Sequence, residues 1–286
     1  MRVAITGGSG KAGREVVRAV AAAGHAVVNL DLVPPDPALD LPGEFCRVQL
    51  TDAGAVYDVL AQFRPEGVCH LAANPSPSGQ ARTDVFANNT LSAYHLMQAA
   101  GDLGVRRLVY ASSEMATGLL TDGAVPSKIP FDETARLPSP NAYALSKYLS
   151  EVIADSLAVR YPGTAFAGLR INNVIAPDQY HVLAERRADP AKGQSNFWSY
   201  IDARDVGTAF LAALVGETTG HAVYLIAAAD TGADRPLADL LAEFYPGYPG
   251  LAADHPPFAS AFDSGKMARD FGWRPRHSWR DQEASN

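Results

Sequence analysis

Little in this sequence supports a scaffold held by disulfides or metal ions. Only two of its 286 residues are cysteine. These two, Cys46 and Cys69, stand in no CxxC or other metal-ligand spacing. Both are expected to be buried core thiols, as free cysteines commonly are. We therefore predict neither a disulfide framework nor a bound metal.

Long apolar runs and an excess of positive charge are also missing. No apolar run reaches the roughly 18 residues that a membrane span needs, and the first residues read as a strand rather than a signal peptide. The formal net charge of −7 argues against nucleic acid or an anionic membrane as a partner. We expect a soluble, cytoplasmic protein that binds a small molecule.

The chain instead alternates short apolar runs with helical patterns. Apolar residues make up 47% of it, which is enough for one large α/β domain with a small appendage. Strands alternating with helices predict a doubly wound parallel sheet. The predicted strands cover residues 3–5, 26–30, 45–50, 68–73, 107–111, 165–170 and 223–227.

A glycine-rich turn follows the first strand. It reads Thr6-Gly7-Gly8-Ser9-Gly10-Lys11-Ala12-Gly13 and leads into a helical pattern. Glycines in this context permit a tight turn and let helix N-terminal N–H groups point at a pyrophosphate. We therefore predict a dinucleotide site that uses Gly7, Gly10, Lys11, Ala12 and Gly13.

Two acids follow the next two strands. Asp31 would accept hydrogen bonds from an adenosine ribose and repel a 2′-phosphate, which favours NAD over NADP. The alternative for Asp31 is a simple acid at a strand end. Asp52 is either an adenine contact or the N-cap of the following helix.

The ends of the fourth and fifth strands supply further candidates. The small residues Leu71-Ala72-Ala73 would let a cofactor pass close to the backbone, whereas His70 before them is expected to be a core histidine. The fifth strand ends in Ser112-Ser113-Glu114, where open α/β sheets bind ligands.

Tyr143 and Lys147 are four residues apart in a helical pattern, so they lie on one helix face. A phenol with an ordinary pKa of about 10 is a poor base at neutral pH, but a neighbouring cation favours the phenolate. The spacing indicates a proton-transfer pair, although such a pair alone is weakly specific.

Taken in chain order, these motifs resemble the extended short-chain dehydrogenase/reductase superfamily, in its NAD-dependent epimerase/dehydratase family. The glycine-rich turn is similar to TGxxGxxG, and residues 70–73 resemble its HLAA strand. Residues 140–147 resemble its YxxxK segment, and residues 170–177 its RxxNVYGP turn. The resemblance implies a Rossmann-type fold with a small C-terminal substrate-side lobe, NAD as cofactor, and a homodimer formed through two long helices.

The resemblance also implies roles. Tyr143 would exchange a proton with the substrate oxygen. Lys147 would hold the nicotinamide ribose and lower the pKa of Tyr143, and Ser113 would hydrogen-bond the same substrate oxygen. Asn89 would position the cofactor or its helix.

Two departures from the family pattern bear on the substrate. Glu114-Met115 replaces the Asp-Glu pair of sugar-nucleotide dehydratases, which disfavours that elimination. Only 22 residues separate Pro177 from Tyr200, a short segment that resembles those of uronate and aldose dehydrogenases and predicts a small substrate. Each predicted substrate contact is a loop polar residue that could instead be merely solvated; they are Asn74, Ser76, Ser112, Glu114, Asn172, Asn173 and Tyr180.

We therefore predict an NAD-dependent oxidoreductase that transfers hydride between nicotinamide and the carbinol carbon of a sugar or sugar acid. One alternative is a nucleotide-sugar epimerase, similar to UDP-glucose 4-epimerase, with permanently bound NAD. The other is a non-catalytic dinucleotide sensor. The NAD-binding domain is predicted to cover residues 1–177 and 200–229, and the substrate lobe residues 178–199 and 230–286.

Overall fold

A computed structural model describes residues 1–75, 79–118, 125–139 and 141–283 of the chain. Strands in these ranges are numbered in chain order. They are β1 (Arg2–Thr6), β2 (Ala26–Asp31), β3 (Glu44–Arg47), β4 (Gly67–His70), β5 (Arg107–Ser113), β6 (Ala165–Ile171), β7 (Val174–Ile175), β8 (Ile201–Asp202) and β9 (His221–Ile226). Seven of them form one parallel sheet in the order β3-β2-β1-β4-β5-β6-β9, and β7 pairs with β8 separately.

The helices of the same ranges are numbered likewise. They are α1 (Gly13–Ala22), α2 (Ala53–Phe63), α3 (Arg82–Asp102), α4 (Ala142–Arg160), α5 (His181–Ala188), α6 (Ala203–Val215), α7 (Leu237–Phe244), α8 (Gly265–Phe271) and α9 (Trp279–Glu283). No helix of the described chain is long and apolar enough to cross a membrane.

Both faces of the sheet are covered by helices. In β1, Ala4 belongs to the core beneath α2, α3 and α4, while Val3 and Ile5 belong to the core beneath α1 and α6. Successive side chains of a strand point to opposite faces, so a strand that is apolar throughout must be buried on both. The predicted doubly wound Rossmann-type fold is confirmed.

Two strands end earlier than predicted. β3 ends at Arg47 and β4 at His70, three residues before the predicted ends in both cases. On one side the paired strand also ends there: β2 ends opposite Arg47 and β1 opposite His70. The last bond on the β1 side of β4 is from Leu71 N to Thr6 O at 3.0 Å. The freed segments turn over the carboxyl edge of the sheet.

The C-terminal residues form a separate apolar cluster. It contains Phe197 and Trp198, which are 1% and 2% exposed and thus pack in the interior. Ile129 and Phe131 from the loop before α4 pack into the same cluster. This loop therefore joins the two parts of the chain.

The expectation that both cysteines are buried was wrong. Cys69 is fully buried, but Cys46 is only half-buried because it lies on the edge strand β3.

Residues 178–196 show no helical period in the sequence, yet α5 forms within them. Leu183 alone buries deeply in α5, in a small cluster with Tyr200 and Trp279. A single buried apolar residue is too few to produce a helical period in the sequence.

Candidate active site

The glycine-rich turn packs directly against the end of β4. Gly7 has a positive φ of 71°, and a Cβ there would lie 2.5 Å from the Ala72 nitrogen. A Cβ on Gly13 would lie 2.0 Å from the Gly7 oxygen. Side chains are excluded at both positions, so backbone alone forms the turn. No side chain caps α1, whose N-terminus is thus available to an anion.

Asp31 ends β2 beside this turn. Its Oδ2 accepts from the Ser9 backbone N–H at 3.1 Å, and its Oδ1 accepts from Leu32 N–H at 2.7 Å. These bonds hold the carboxylate in place and still leave lone pairs on both oxygens. The arrangement suits a ribose diol.

Asp52 lies elsewhere. It is the N-cap of α2, where its Oδ1 accepts from Ala55 N–H at 3.1 Å, and it does not line the cavity described below. Val48, Gln49 and Leu50 line that end of the cavity instead. The sequence predicts these three residues as the end of the third strand. The sequence of one strand does not show where its pairing with a neighbouring strand ends.

The end of β4 contributes Leu71, Ala72 and Ala73 to the cavity wall. His70 is 5% exposed and shares a 2.7 Å hydrogen bond with the Thr6 hydroxyl. Burial, and then Lys147, lower the pKa of His70 to about 3. It remains neutral at physiological pH, as expected for a core histidine.

Asn89 of α3 is buried and connects a loop to α4 rather than lining the cavity. Its Oδ1 accepts from Asn74 N–H at 2.7 Å, and its Nδ2 donates to Asn74 O and to Ser146 Oγ, both at 3.2 Å. It thereby fixes the Asn74 loop to α4. Asn88 and Ser92, on the neighbouring face of α3, do line the cavity. These two polar residues are four positions apart in a helical pattern, and this spacing could have predicted that they share one face.

The catalytic candidates meet at the ends of β5 and α4. Asn141 caps α4 by accepting from Ala144 N–H at 2.9 Å, which places Tyr143 in the first turn. Lys147 Nζ lies 5.8 Å from the Tyr143 ring centroid and donates to the Ala111 carbonyl at 2.7 Å. Ser113, Tyr143 and Lys147 all line the cavity.

Burial dominates the electrostatics of this group. It lowers the pKa of Lys147 to about 8. It also raises the pKa of Tyr143, while a hydrogen bond from Ser113 lowers that pKa and Glu114 raises it further. The lowering of the Tyr143 pKa by Lys147 stays a prediction, because desolvation of the phenolate is the largest influence on that pKa in the protein alone.

The predicted substrate contacts divide into two groups. Asn74, Ser112, Glu114, Asn172 and Asn173 line the cavity, although the Ser112 hydroxyl is already used, donating to Glu151 at 2.6 Å. Tyr180 does not line it and donates to Asp202 at 2.6 Å. Ser76 lies outside the described residues.

Arg186 was missed by the sequence analysis. With the Asn173 amide oriented so that its oxygen faces α5, both terminal nitrogens of the Arg186 guanidinium donate to it at 2.7 Å. Burial lowers the pKa of Arg186, and the nearby Glu114 raises it. α5 thus supplies a cation behind the wall of the site, where the sequence showed no helix.

These residues enclose a cavity of about 700 Å³ that runs from Asp31 to Glu114. Such a volume is typical of sites for small organic ligands. The turn that excludes Cβ atoms, the open helix N-terminus and the fixed carboxylate fit a dinucleotide with an unphosphorylated adenosine ribose. Among the described residues, no group of His, Cys, Asp or Glu is placed to hold a metal ion.

The fold and site thus define a dinucleotide-binding protein of the Rossmann class. The model of the NAD dependent epimerase/dehydratase family matches residues 3–227. The chain belongs to this family, whose cofactor is NAD.

Relatives in the family differ in activity. The chain is 29% identical over 178 residues to the UDP-glucose 4-epimerase of Lacticaseibacillus casei, covering 61% of this chain and 52% of that protein. It is 28% identical over 212 residues to an L-arabinose 1-dehydrogenase (NAD(P)(+)) of Haloferax volcanii, covering 69% and 76%. It is 30% identical over 320 residues to a 3-diazoavenalumate denitrifying reductase of a Streptomyces species, covering 98% of both. The matches to the first epimerases span about half of their length.

Solved structures show the same fold. The Thermus thermophilus UDP-glucose 4-epimerase in complex with NAD superposes with a TM-score of 0.70 at 26% identity, covering 98% of this chain and 96% of that one. A mutated uronate dehydrogenase superposes with a TM-score of 0.69 at 22% identity, covering 100% and 86%.

Proposed function

We propose that this protein is an NAD-dependent dehydrogenase of a free sugar or sugar acid, with Tyr143, Lys147 and Ser113 as its catalytic set. The observation that carries the proposal is the meeting of these three side chains in one cavity with the dinucleotide turn and Asp31. Bound NAD supplies the hydride acceptor. The residues of the chain supply positioning and proton transfer.

In this mechanism the Tyr143 oxygen takes the proton of the substrate hydroxyl as the carbon that bears this hydroxyl is oxidised. In the reverse direction it returns the proton. The Ser113 hydroxyl hydrogen-bonds the same substrate oxygen. Lys147, held by the Ala111 carbonyl at 2.7 Å, presents its remaining protons to the nicotinamide ribose. Asn89 fixes the loop and helix that carry Asn74 and Tyr143.

The size of the cavity supports a small substrate. Cofactor and substrate must share about 700 Å³, and the described residues that line it end at Val174. None of the described residues of the C-terminal lobe lines this cavity. The relatives named as arabinose and uronate dehydrogenases are consistent with a free sugar.

A panel of free sugars and sugar acids mixed with purified protein and NAD tests the proposal by NADH formation. Net NADH from at least one sugar is expected, and Tyr143→Phe should abolish it. NADH formation that survives this substitution would contradict the mechanism. A panel without turnover, in protein that still binds NAD, would favour a dinucleotide sensor.

A nucleotide-sugar epimerase is the second candidate, favoured by the several epimerases among the relatives. It would use the same catalytic residues and regenerate NAD in every cycle. NAD retained through purification, together with interconversion of UDP-glucose and UDP-galactose without net NADH, would support it over the dehydrogenase.

We further propose that the protein is a cytoplasmic homodimer and that it divides into the two predicted units. α3 and α4 pack side by side and expose apolar side chains that include Leu91, Tyr94, Leu145 and Val152, at 43%, 44%, 38% and 38%. A second copy covering this face would remove them from water. Light scattering of the purified protein tests the association, and a monomeric mass at micromolar concentration contradicts it.

A further inference from the structure

Six buried side-chain atoms among the described residues lack any hydrogen-bond partner. Only two of them belong to residues that line the cavity, Glu114 Oε2 and Asn172 Nδ2. Glu114 is 7% exposed and Asn172 is 2% exposed. Buried polar atoms are nearly always hydrogen-bonded, so two such exceptions in one cavity point to a missing ligand group.

The two residues are neighbours, because Glu114 and Asn172 directly follow Ser113 and Ile171, which are paired across β5 and β6. Asn172 Oδ1 accepts from Asn173 N–H at 2.6 Å, and the same N–H lowers the pKa of the Glu114 carboxyl. The unpartnered atom of each side chain, a carboxyl oxygen and an amide nitrogen, is left for something else.

The pair lies beside the catalytic residues. Glu114 directly follows Ser113, and it is close enough to Tyr143 to raise the pKa of the phenol. Glu114, Asn172, Ser113 and Tyr143 line one cavity, so a group held by the pair would lie close to the substrate atom that reacts.

The chemistry of the two atoms selects that group. The Asn172 amide nitrogen only donates, whereas a carboxyl oxygen accepts when ionised and can donate when protonated. Burial raises the pKa of Glu114 well above its usual value, which favours the protonated form. A hydroxyl accepts from the amide and can either donate to or accept from the carboxyl, so it satisfies both atoms in either state.

We infer that Glu114 and Asn172 together bind a hydroxyl group on the substrate carbon next to the one that exchanges hydride. The substrate class is then a vicinal diol, such as a cyclic aldose with neighbouring hydroxyls on C1 and C2. This inference rests on the proposed dehydrogenase function and adds a specificity determinant to it.

The test compares each sugar with its deoxy analogue. NADH formation is measured with D-galactose and 2-deoxy-D-galactose, and with D-glucose and 2-deoxy-D-glucose. The deoxy sugar leaves both buried atoms unpaired, so kcat/KM is expected to fall by at least about 30-fold. Equal kcat/KM values for an oxidised sugar and its deoxy analogue would overturn the inference and leave the proposed function intact.

Variants assign the effect to the pair. Glu114→Gln retains a hydrogen-bonding group and should keep most of the discrimination, whereas Glu114→Met combined with Asn172→Leu should remove it. Thr90→Val is the matched control, because Thr90 Oγ1 is another unpartnered buried atom but Thr90 does not line the cavity. Discrimination that persists in the double variant would contradict the assignment.

If none of these sugars is oxidised, that result counts against the proposed function. A second measurement, of thermal stability, tests the inference in that case too. Burying a polar atom without a partner is unfavourable, so Glu114→Met should melt at or above the temperature of the ligand-free wild type. A lower melting temperature would show that the carboxyl is a structural group and would overturn the inference.

Discussion

Glu151→Gln is expected to destabilise this protein strongly, because it removes the carboxylate that forms an ion pair with the buried Arg170. Glu151 Oε1 accepts from Arg170 Nε at 2.9 Å and Oε2 accepts from Arg170 Nη2 at 2.8 Å. The two side chains are only 7% and 5% exposed. Glutamine keeps the shape but not the charge, and its amide nitrogen must face a guanidinium donor or turn away.

The magnitude follows from this burial. Removing one partner of a buried ion pair costs about 3–5 kcal/mol. For a chain of this size each kcal/mol lowers the melting temperature by about 2–4 °C, so a decrease of roughly 10 °C is expected. Thermal unfolding followed by circular dichroism gives the change in melting temperature, and a urea titration independently gives the change in the free energy of unfolding.

Glu66→Gln is the matched control, since Arg106 Nη2 lies 2.7 Å from Glu66 Oε2 with the two side chains 67% and 46% exposed. The same chemical change at the surface should leave the melting temperature almost unchanged, because water screens the pair. The double variant Glu151→Met with Arg170→Met should recover most of the lost stability. The reasoning is refuted if Glu151→Gln costs no more than Glu66→Gln.

Four further outcomes concern the site. Tyr143→Phe should lower kcat by about 10²- to 10⁴-fold with little change in melting temperature. In the wild type, kcat/KM for oxidation should rise with pH above neutrality, because burial raises the pKa of Tyr143 and only the phenolate accepts a proton; a flat profile would contradict this. Asp31→Ala should reduce the preference for NAD over NADP, measured as the ratio of the two dissociation constants. Gly13→Ala would place a Cβ 2.0 Å from the Gly7 oxygen and should abolish NAD binding, whereas Gly163→Ala, with nothing within 4 Å, should not.

Local patterns predicted the parts of the site that depend on neighbours in the chain. The spacing of Tyr143 and Lys147 became one helix face because four residues make about one helical turn. The glycine-rich turn followed from its position between a strand and a helix. Asp31 lies at the cavity because the end of a parallel strand points there.

The hydroxyls of two predicted substrate contacts, Ser112 and Tyr180, are occupied by protein partners that lie far away in the chain. Asp52 takes the local alternative that its position offered, the N-cap of α2. Ser112 is paired with a residue 39 positions away and Tyr180 with one 22 positions away. One sequence does not show which long-range partner reaches a polar side chain first.

The sequence by itself therefore determined the α/β class, the dinucleotide turn and the proposed catalytic trio, because each depends on local periodicity or on strand ends. The tertiary structure alone decided the electrostatics and the substrate side. Burial raises the pKa of Tyr143, and one buried atom each of Glu114 and Asn172, which both line the cavity, has no hydrogen-bond partner. Burial is a property of packing between distant segments, so it follows from the folded chain and not from the spacing of its residues.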